Sequence, residues 1–407
     1  MHANDKGCKQ AFPGEFPGKF ARVEDPYRGE LSCFMMENFD EIVERRGTSS
    51  VKWDKYGDRD ILPLWVADMD FRAPAPVIEA LEKRIRHGIF GYTHAPKELT
   101  ATIVSMLETE YHWKIENEAL VWLPGLVSGL NLACRTAGGK NAITAIPIYP
   151  PFLSAPLNAK MTVSKSPMIL GKGRWEYDFD SLEKAVLPGS SLFLHCNPHN
   201  PTGRIFEKEE LREIAHFCEK HDLLICSDEI HCGILLDRGK KHVPIAALSP
   251  EIEKRTITLM APSKTFNIPG LGVSFAIIPD PSLRSRFLAE MEGIVPHVNV
   301  LGFEAALAAY RDAKAWHDGV IDYLRGNRDL VEKSVREMGL EMHHAEATYL
   351  AWIDADPIEN PASFFEDAGV GLSDGKDFGF PGHVRLNFGC PASRLKEALD
   401  RMKSALR

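Results

Sequence analysis

The residues best suited to chemistry in this chain come directly after short apolar runs that are typical of buried strands. Three such runs are 191–196, 222–227 and 256–261, and the polar residues that follow them are Asn197, Asn200, Asp228, Ser263 and Lys264. A carboxylate and a lysine on separate strands could form a structural ion pair. They could equally supply two contacts that pyridoxal 5'-phosphate (PLP) needs, an acid facing the pyridine nitrogen and a lysine that binds the aldehyde. Position alone leaves both alternatives open.

An alternation of strands and helices must position these residues. Near-continuous apolar strands between amphipathic helices are typical of an α/β fold with a mostly parallel sheet covered on both faces. In such a sheet ligands bind beyond the carboxyl ends of the strands, which gathers the polar residues at one edge. The pattern predicts strands over 141–146, 191–196, 222–227, 256–261 and 273–278, and helices over 75–88, 99–112 and 207–221.

The chain divides into three predicted parts. Residues 1–36 are rich in Gly, Pro and charge, and we expect them to form an N-terminal extension. Residues 70–300 carry the alternating strands and helices of a large domain. Residues 37–69 and 301–407 are expected to form a smaller α+β domain, because long helices and a shorter α+β pattern lie beyond residue 300.

Composition argues against several classes of protein. The 407 residues carry a formal net charge of −9 and no dense block of Lys and Arg, which disfavours nucleic-acid binding and favours a small-molecule partner. The eight cysteines show no C-x-x-C spacing, as expected in a reducing compartment. No apolar signal segment or membrane-spanning run is seen, so we expect a cytoplasmic protein with no membrane partner. No zinc-site spacing is present, and no metal is expected.

Three ordered motifs favour the PLP site over the ion pair. They are "NPHNPTG" (197–203), "SDEIH" (227–231) and "SKTFN" (263–267). Each motif is weak alone, but the ordered set resembles the signature of fold-type I PLP enzymes, the superfamily of aspartate aminotransferase. That resemblance implies a large domain with a mostly parallel sheet of the seven-stranded type.

Further motifs narrow the resemblance. Residues 37–407 look like the MalY/PatB family of carbon–sulfur β-lyases, which includes cystathionine β-lyases. The most specific stretches are "WVADMDF" (65–71), "SKTFN" (263–267), "TYLAWID" (348–354) and "VRLNFGCP" (384–391).

The resemblance implies roles at the sheet edge. Lys264 binds the cofactor covalently and then acts as the base that removes the substrate Cα proton; the alternative is a surface lysine. Asp228 keeps the pyridine nitrogen protonated, or else caps a helix. Asn200 donates a hydrogen bond to the phenolate oxygen of PLP, or serves a turn before proline. His231 contacts the same oxygen, or is a structural histidine.

The ring and the phosphate of the cofactor also have implied partners. Tyr149 stacks on the pyridine ring, with a core tyrosine as the alternative. Gly125, Leu126 and Val127 bind the phosphate through their amides at the start of a predicted helix, and Ser263 adds a hydroxyl.

Two residues extend the resemblance to the substrate and to assembly. Tyr92 in "FGYT" reaches the phosphate across a homodimer interface, which makes each site composite, unless it is a loop tyrosine without a ligand. Arg385 clamps the α-carboxylate of the substrate through a bidentate contact, unless it forms a surface ion pair.

The chain departs from the pattern at two positions. Ala347 stands before "TYLAW", where the family usually has glycine, and we expect it to crowd the substrate entrance. Gly272 stands where aminotransferases carry a phosphate-clamping arginine, so phosphate binding must depend on other donors.

The function that the resemblance implies is cleavage of L-cystathionine or a related L-cysteine S-conjugate by α,β-elimination, giving a thiol, pyruvate and ammonia. An aminotransferase is the first alternative, because one fold and one lysine serve both reactions. A protein that uses the PLP fold for a regulatory interaction is the second.

Overall fold

A computed structural model describes residues 38–356 and 358–407. The predicted N-terminal extension therefore lies outside the described residues. The strands are β1 (Leu62–Pro63), β2 (Leu120–Leu123), β3 (Asn141–Ile146), β4 (Thr162–Pro167), β5 (Ile169–Gly171), β6 (Arg174–Glu176), β7 (Ser190–Cys196), β8 (Leu224–Asp228), β9 (Thr256–Met260), β10 (Ser274–Ile277), β11 (Glu341–Met342), β12 (Leu350–Asp354), β13 (Val370–Gly371), β14 (Ser373–Asp374) and β15 (His383–Asn387).

The helices fall between these strands and, in the last quarter of the chain, around a second sheet. They are α1 (Ala75–His87), α2 (Lys97–Tyr111), α3 (Leu126–Ala137), α4 (Pro151–Asn158), α5 (Phe179–Ala185), α6 (Lys208–Lys220), α7 (Pro250–Lys254), α8 (Pro281–Met291), α9 (Val300–Asp312), α10 (Lys314–Glu337), α11 (Pro361–Asp367) and α12 (Ala392–Ala405).

A seven-stranded sheet in the order β2-β10-β9-β8-β7-β3-β4 forms the centre of the fold. Strands β4, β3, β7, β8 and β9 pair in parallel, while β10 is antiparallel to both β9 and β2. The predicted α/β fold with a mostly parallel sheet is therefore confirmed. Strand β3 has the predicted bounds, and β8 ends one residue later than predicted, which places Asp228 at its carboxyl end.

Both faces of this sheet are covered by helices, which explains why its strands are apolar throughout. In β7, Leu192 and Leu194 pack into one buried cluster with residues of α3 and α8, while Phe193 packs into another cluster with residues of α6. Each such side chain contributes roughly 1.5–3 kcal/mol when it is fully buried. The sheet is thus a rigid platform whose carboxyl edge holds the loops after β7, β8 and β9.

A second, four-stranded antiparallel sheet has the order β11-β12-β15-β14 and packs with α10 and α12. Strand β1 pairs in parallel with β13, which ties residues 62–63 to residues 370–371. Both sheets lie within one compact unit, residues 39–407. The predicted division into a large domain (70–300) and a smaller one (37–69 with 301–407) stays a prediction. Among the described residues, no helix is both long and apolar enough to cross a membrane.

Candidate active site

The carboxyl ends of β7, β8 and β9 open into a cavity of about 420 Å³, which strand β15 of the second sheet also lines. The sequence-predicted site residues meet here, with the exception of Tyr92. Those that line the cavity are Gly125, Leu126, Val127, Tyr149, Asn200, Asp228, His231, Ser263, Lys264 and Arg385. The volume suits a small organic ligand rather than a polymer.

Lys264 lies in the turn that follows β9, and its amine points into the cavity. The Nζ atom donates a hydrogen bond to the Ala67 carbonyl oxygen at 2.5 Å, and the Tyr349 hydroxyl donates to the same oxygen at 2.9 Å. Burial lowers the pKa of Lys264 to about 8, and the nearby Arg385 charge acts in the same direction. A lysine with a depressed pKa supplies a neutral, nucleophilic amine near physiological pH.

Asp228 and its neighbour Glu229 have opposite surroundings. Asp228 lines the cavity, and its Oδ1 accepts a hydrogen bond from the Ile230 amide at 3.1 Å, whereas its Oδ2 accepts none from the described residues. Burial raises the pKa of Asp228 to about 6. Glu229 is fully buried and accepts hydrogen bonds from Ser227 Oγ at 2.8 Å and His242 Nε2 at 2.6 Å. Only Asp228 is free to meet a ligand.

The structural ion pair left open by the sequence does not form. No ion pair joins Lys264 or Asp228 to each other or to any other described residue. The two groups therefore line one cavity without direct contact, and burial, which outweighs their mutual attraction, shifts the pKa of each toward its neutral form. This arrangement is expected of groups that bind a ligand.

Arg385 is buried in β15 at only 4% exposure, and every partner it has is neutral. It donates to Asn200 Oδ1 at 2.9 Å, to the Trp65 carbonyl oxygen at 2.7 Å and to Ser373 Oγ at 3.3 Å. Its guanidinium also lies over the Phe378 ring at 4.8 Å. Burial lowers the pKa of Arg385 to about 10. Arg385 forms no ion pair within the described residues, so the surface ion pair considered from the sequence is excluded. Its positive charge is therefore available to bind an anion in the cavity.

Three neutral polar side chains complete the wall. Asn200 uses its Oδ1 to hold Arg385, which leaves its Nδ2 group as a donor. His231 is buried, its Nδ1 has no hydrogen-bond partner, and burial lowers its pKa to about 3, so the imidazole is neutral. Tyr149 is half-buried, and burial raises the pKa of its phenol. The ring stacking expected of Tyr149 stays a prediction.

The start of α3 forms another side of the cavity. No side chain caps this helix, so the amides of its first turn remain available to an anion. Close packing brings the helix to the sheet: a Cβ atom at Gly129 would lie 2.8 Å from Leu259 Cδ2. Gly272, at φ +58°, lies against the turn before α3, where a Cβ atom would meet the Pro124 oxygen at 3.2 Å. An arginine there would be strained.

Tyr92 lies outside this cavity and is fully exposed at 106%. Ile89 and Phe90 in the same loop are also exposed. The predicted contact of Tyr92 across a subunit interface stays a prediction. Ala347 is fully buried and does not line the cavity; its amide donates to the Gly203 oxygen at 2.9 Å. The expectation that Ala347 crowds the substrate entrance is therefore wrong.

The backbone of residues 65–68 holds the site together, a role that was not predicted from the sequence. The carbonyl oxygens of Trp65 and Ala67 accept from Arg385 and Lys264, and those of Val66 and Asp68 both accept from Asn387 Nδ2, at 2.5 and 2.7 Å. These residues stand in "WVADMDF", which the motif comparison singled out. The direction of a backbone carbonyl group cannot be predicted from the types of the side chains, so the role of these oxygens could not be predicted from the sequence.

The segment is fixed by a buried charge cluster at its end. Asp70 accepts from Lys52 Nζ at 3.0 Å, from Arg45 at 2.7 Å and from Trp53 Nε1 at 2.9 Å. Burial alone raises the pKa of Asp70, but the charge of Lys52 and these hydrogen bonds outweigh it and hold the pKa below its usual value. This cluster is complete, and it takes no part in the cavity.

Comparison with known proteins agrees with the motifs. The family model for aminotransferase class I and II matches residues 59–402. The cystathionine beta-lyase PatB of Bacillus subtilis (strain 168) is 36% identical over 386 residues, which cover 91% of this chain and all of PatB.

Solved structures extend this comparison to the fold. The crystal structure of OvoB shares 47% identity with a TM-score of 0.88, covering 91% of this chain and 99% of OvoB. The PLP-bound C-S lyase from Staphylococcus hominis shares 33% identity with a TM-score of 0.86, covering 92% of this chain and 99% of that lyase. The resemblance to MalY/PatB proteins is confirmed, and the chain belongs to the class I and II aminotransferase family of fold-type I.

Proposed function

We propose that this protein is a PLP-dependent carbon–sulfur β-lyase that cleaves L-cystathionine or a related L-cysteine S-conjugate. One observation carries the proposal: Lys264, Asp228 and Arg385 line a single cavity, and Arg385 forms no ion pair with any residue that the structure describes. The name cystathionine beta-lyase for PatB and the name C-S lyase for the Staphylococcus hominis protein support the reaction class.

The residues of the cavity fit the cofactor group by group. Lys264 Nζ would bind the aldehyde, and Asp228 would hold a proton on the pyridine nitrogen. The uncapped start of α3 at Leu126, with Ser263 beside it, suits the phosphate. The neutral His231 and the Nδ2 group of Asn200 suit the phenolate oxygen. When bound, PLP supplies an electron sink for the pair of electrons released from the Cα–H bond.

The chain's own side chains orient the substrate and move its protons. Arg385 binds the α-carboxylate through its guanidinium, which fixes the position of Cα in the cavity. Lys264 Nζ takes the Cα proton, as its lowered pKa favours. The Cβ–S bond then breaks, the thiolate leaves, and the three-carbon remainder is hydrolysed to pyruvate and ammonia. During all of these steps, the Asp228 carboxylate would hold the proton of the pyridine nitrogen in place.

The active unit that we propose is a homodimer. Exposed apolar side chains on and after α1 support it, namely Ile78, Ile85, Ile89, Phe90 and Tyr92. Patches of this kind mark interaction surfaces. If Tyr92 reaches the partner's phosphate site, a mixture of inactive Tyr92→Ala and inactive Lys264→Ala subunits regains activity, because one site of each mixed dimer is intact. A mixture that stays inactive would contradict the composite site.

A cytoplasmic location and the two-domain division of residues 37–407 belong to the same proposal. The cysteines among the described residues are free thiols, which supports a reducing compartment. Small-molecule substrates suit a cavity of about 420 Å³, and the net charge of −9 disfavours a nucleic-acid partner.

The reaction is tested by incubating the purified holoenzyme with L-cystathionine and no keto acid, and assaying pyruvate and free thiol. We expect both products from the wild type and from Lys254→Ala, an exposed lysine at the end of α7. Neither product should form with Lys264→Ala. If no cysteine conjugate is cleaved, and an added keto acid is converted to its amino acid, the protein is an aminotransferase.

A further inference from the structure

One charged side chain of the cavity has no task in the proposed reaction. The charged residues of its lining are Asp228, Lys264, Asp377 and Arg385. In the proposed reaction Asp228 contacts the ring nitrogen, Lys264 the aldehyde and Arg385 the α-carboxylate. Asp377 has no assigned partner. A carboxylate without a function is an unfavourable neighbour for a ligand that already carries two anionic groups, the cofactor phosphate and the α-carboxylate.

The carboxylate of Asp377 is uncommitted. It lies in the short 3-10 helix Gly375–Phe378, is exposed, and forms neither a hydrogen bond nor an ion pair with any residue that the structure describes. Asp374, three residues earlier, accepts from the Lys376 amide at 2.9 Å and pairs with Lys376 Nζ at 2.7 Å. Lys376 therefore forms its ion pair with Asp374, and Asp377 acts on it only by a weaker attraction without contact.

Asp377 stands at the outer end of the cavity. Asp228 and Arg385 are each only 4% exposed, whereas Asp377 is exposed. Phe378, the next residue, is buried and covers the Arg385 guanidinium at 4.8 Å, whereas Asp377 is exposed and lies on the solvent side of this contact. With the α-carboxylate on Arg385 and Cα beside Lys264, the part of a cysteine conjugate that extends toward solvent is the substituent on sulfur.

We propose that Asp377 is a specificity-determining residue that selects L-cysteine S-conjugates whose sulfur substituent carries a positive charge. The inference rests on the proposed function for its substrate class. An alkylammonium group on the leaving thiol is attracted by the free carboxylate of Asp377. An anionic substituent is repelled by this carboxylate. The two cations of the described lining, Lys264 and Arg385, cannot offset the repulsion, because they bind the cofactor and the α-carboxylate.

Binding of analogues that cannot be cleaved tests this without turnover. L-Lysine, L-norleucine and L-2-aminoadipate replace the sulfur of a cationic, a neutral and an anionic conjugate by CH2. Calorimetric titration of the holoenzyme should show L-lysine binding about three- to fivefold more tightly than L-norleucine, as expected of one partly exposed ion pair. L-2-Aminoadipate should bind most weakly, and added salt should reduce the differences.

Two variants locate the effect. Asp377→Asn should bring the ratio of the L-lysine and L-norleucine affinities close to one. Asp367→Asn removes the same charge from an exposed site outside the cavity lining and should keep the wild-type ratio. An unchanged ratio in Asp377→Asn overturns the proposal, as does an equal loss in both variants.

Turnover separates this proposal from the lyase reaction. The ratio of kcat/KM for S-(2-aminoethyl)-L-cysteine to that for S-ethyl-L-cysteine should fall about three- to fivefold in Asp377→Asn. If both conjugates are cleaved and the ratio does not change, Asp377 is not the selector and the lyase stands. If neither is cleaved while the binding preference depends on Asp377, charge selection stands and the lyase fails.

Discussion

Two buried arginines of this protein are held in opposite ways. Arg204, at 2% exposure, pairs with Glu346 at 3.1 Å and with Glu210, and also donates to the Trp175 oxygen at 2.8 Å. Arg385, at 4% exposure, has only neutral partners among the described residues. The first charge is neutralised inside the fold, and the second is left for a ligand. Burial alone therefore does not identify a functional arginine; the missing carboxylate does.

The buried aspartates repeat the contrast. Asp70 is surrounded by Lys52, Arg45 and Trp53, which hold its pKa below the usual value although burial raises it. Asp228 forms no ion pair with any described residue, and burial outweighs the attraction of the Lys264 charge and raises the pKa of Asp228 to about 6. Compensated clusters stabilise the scaffold, while the uncompensated charges of the cavity cost stability and serve binding.

The largest effect is expected where a compensated charge is broken. Arg204→Ala removes the buried hydrogen bonds to Glu346, Glu210 and the Trp175 oxygen, although Arg174 still pairs with Glu346 at 2.8 Å, and should lower the free energy of unfolding by about 3 kcal/mol. Urea denaturation of the purified variant measures this change. A loss below about 1 kcal/mol would show that Arg204 is not a structural anchor.

Removing the uncompensated arginine should instead affect activity. Arg385→Ala should lower kcat/KM for a cysteine conjugate about a hundredfold, because it removes charge-assisted hydrogen bonds to the α-carboxylate. Its free energy of unfolding should stay within about 1 kcal/mol of the wild type. Arg385→Lys should remain impaired, since lysine cannot make the bidentate contact. A variant that unfolds but retains kcat/KM contradicts this account.

The two aspartates should respond to pH with opposite sign. The pKa of Asp228 in the folded state, about 6, lies above the 3.8 of a free aspartate side chain, so its contribution to stability is present at low pH and is lost as pH rises through 6. Cofactor-free Asp228→Asn should be more stable than the wild type by about 2–3 kcal/mol at pH 8, and this difference should shrink toward pH 5.

Asp70 provides the matched control for that experiment. Its pKa is lowered in the folded state, so its contribution is present above its unfolded pKa and is lost as pH falls through the folded value. Asp70→Asn should therefore be less stable than the wild type at pH 8. If both variants change stability in the same direction, the distinction between compensated and uncompensated acids is wrong.

The smallest change in stability is expected at the Ala67 carbonyl oxygen, which accepts hydrogen bonds from both the core and the cavity. Tyr349, from the core, and Lys264, from the cavity, both donate to the Ala67 oxygen. Tyr349→Phe keeps the ring and removes one donor, and should cost about 1 kcal/mol of unfolding free energy. Urea denaturation measures it. A loss of several kcal/mol would show that the hydroxyl does more than share this oxygen.

Much of the fold followed from local patterns. Strand β3 and the positions of Asp228 and Lys264 were predictable because apolar runs and strand ends are local features of the sequence. The carbonyl oxygens of residues 65–68 were not predictable, since backbone direction depends on tertiary contacts. Ala347 was misjudged for the same reason: sequence position does not show which side of a turn faces the cavity.

The decisive measurement is the stoichiometry of the products that the holoenzyme releases from L-cystathionine without a keto acid. We expect equal amounts of thiol, pyruvate and ammonia, strongly reduced in Arg385→Ala and retained in Lys254→Ala. Release of no thiol, or an amino-group transfer that requires a keto acid, would contradict it.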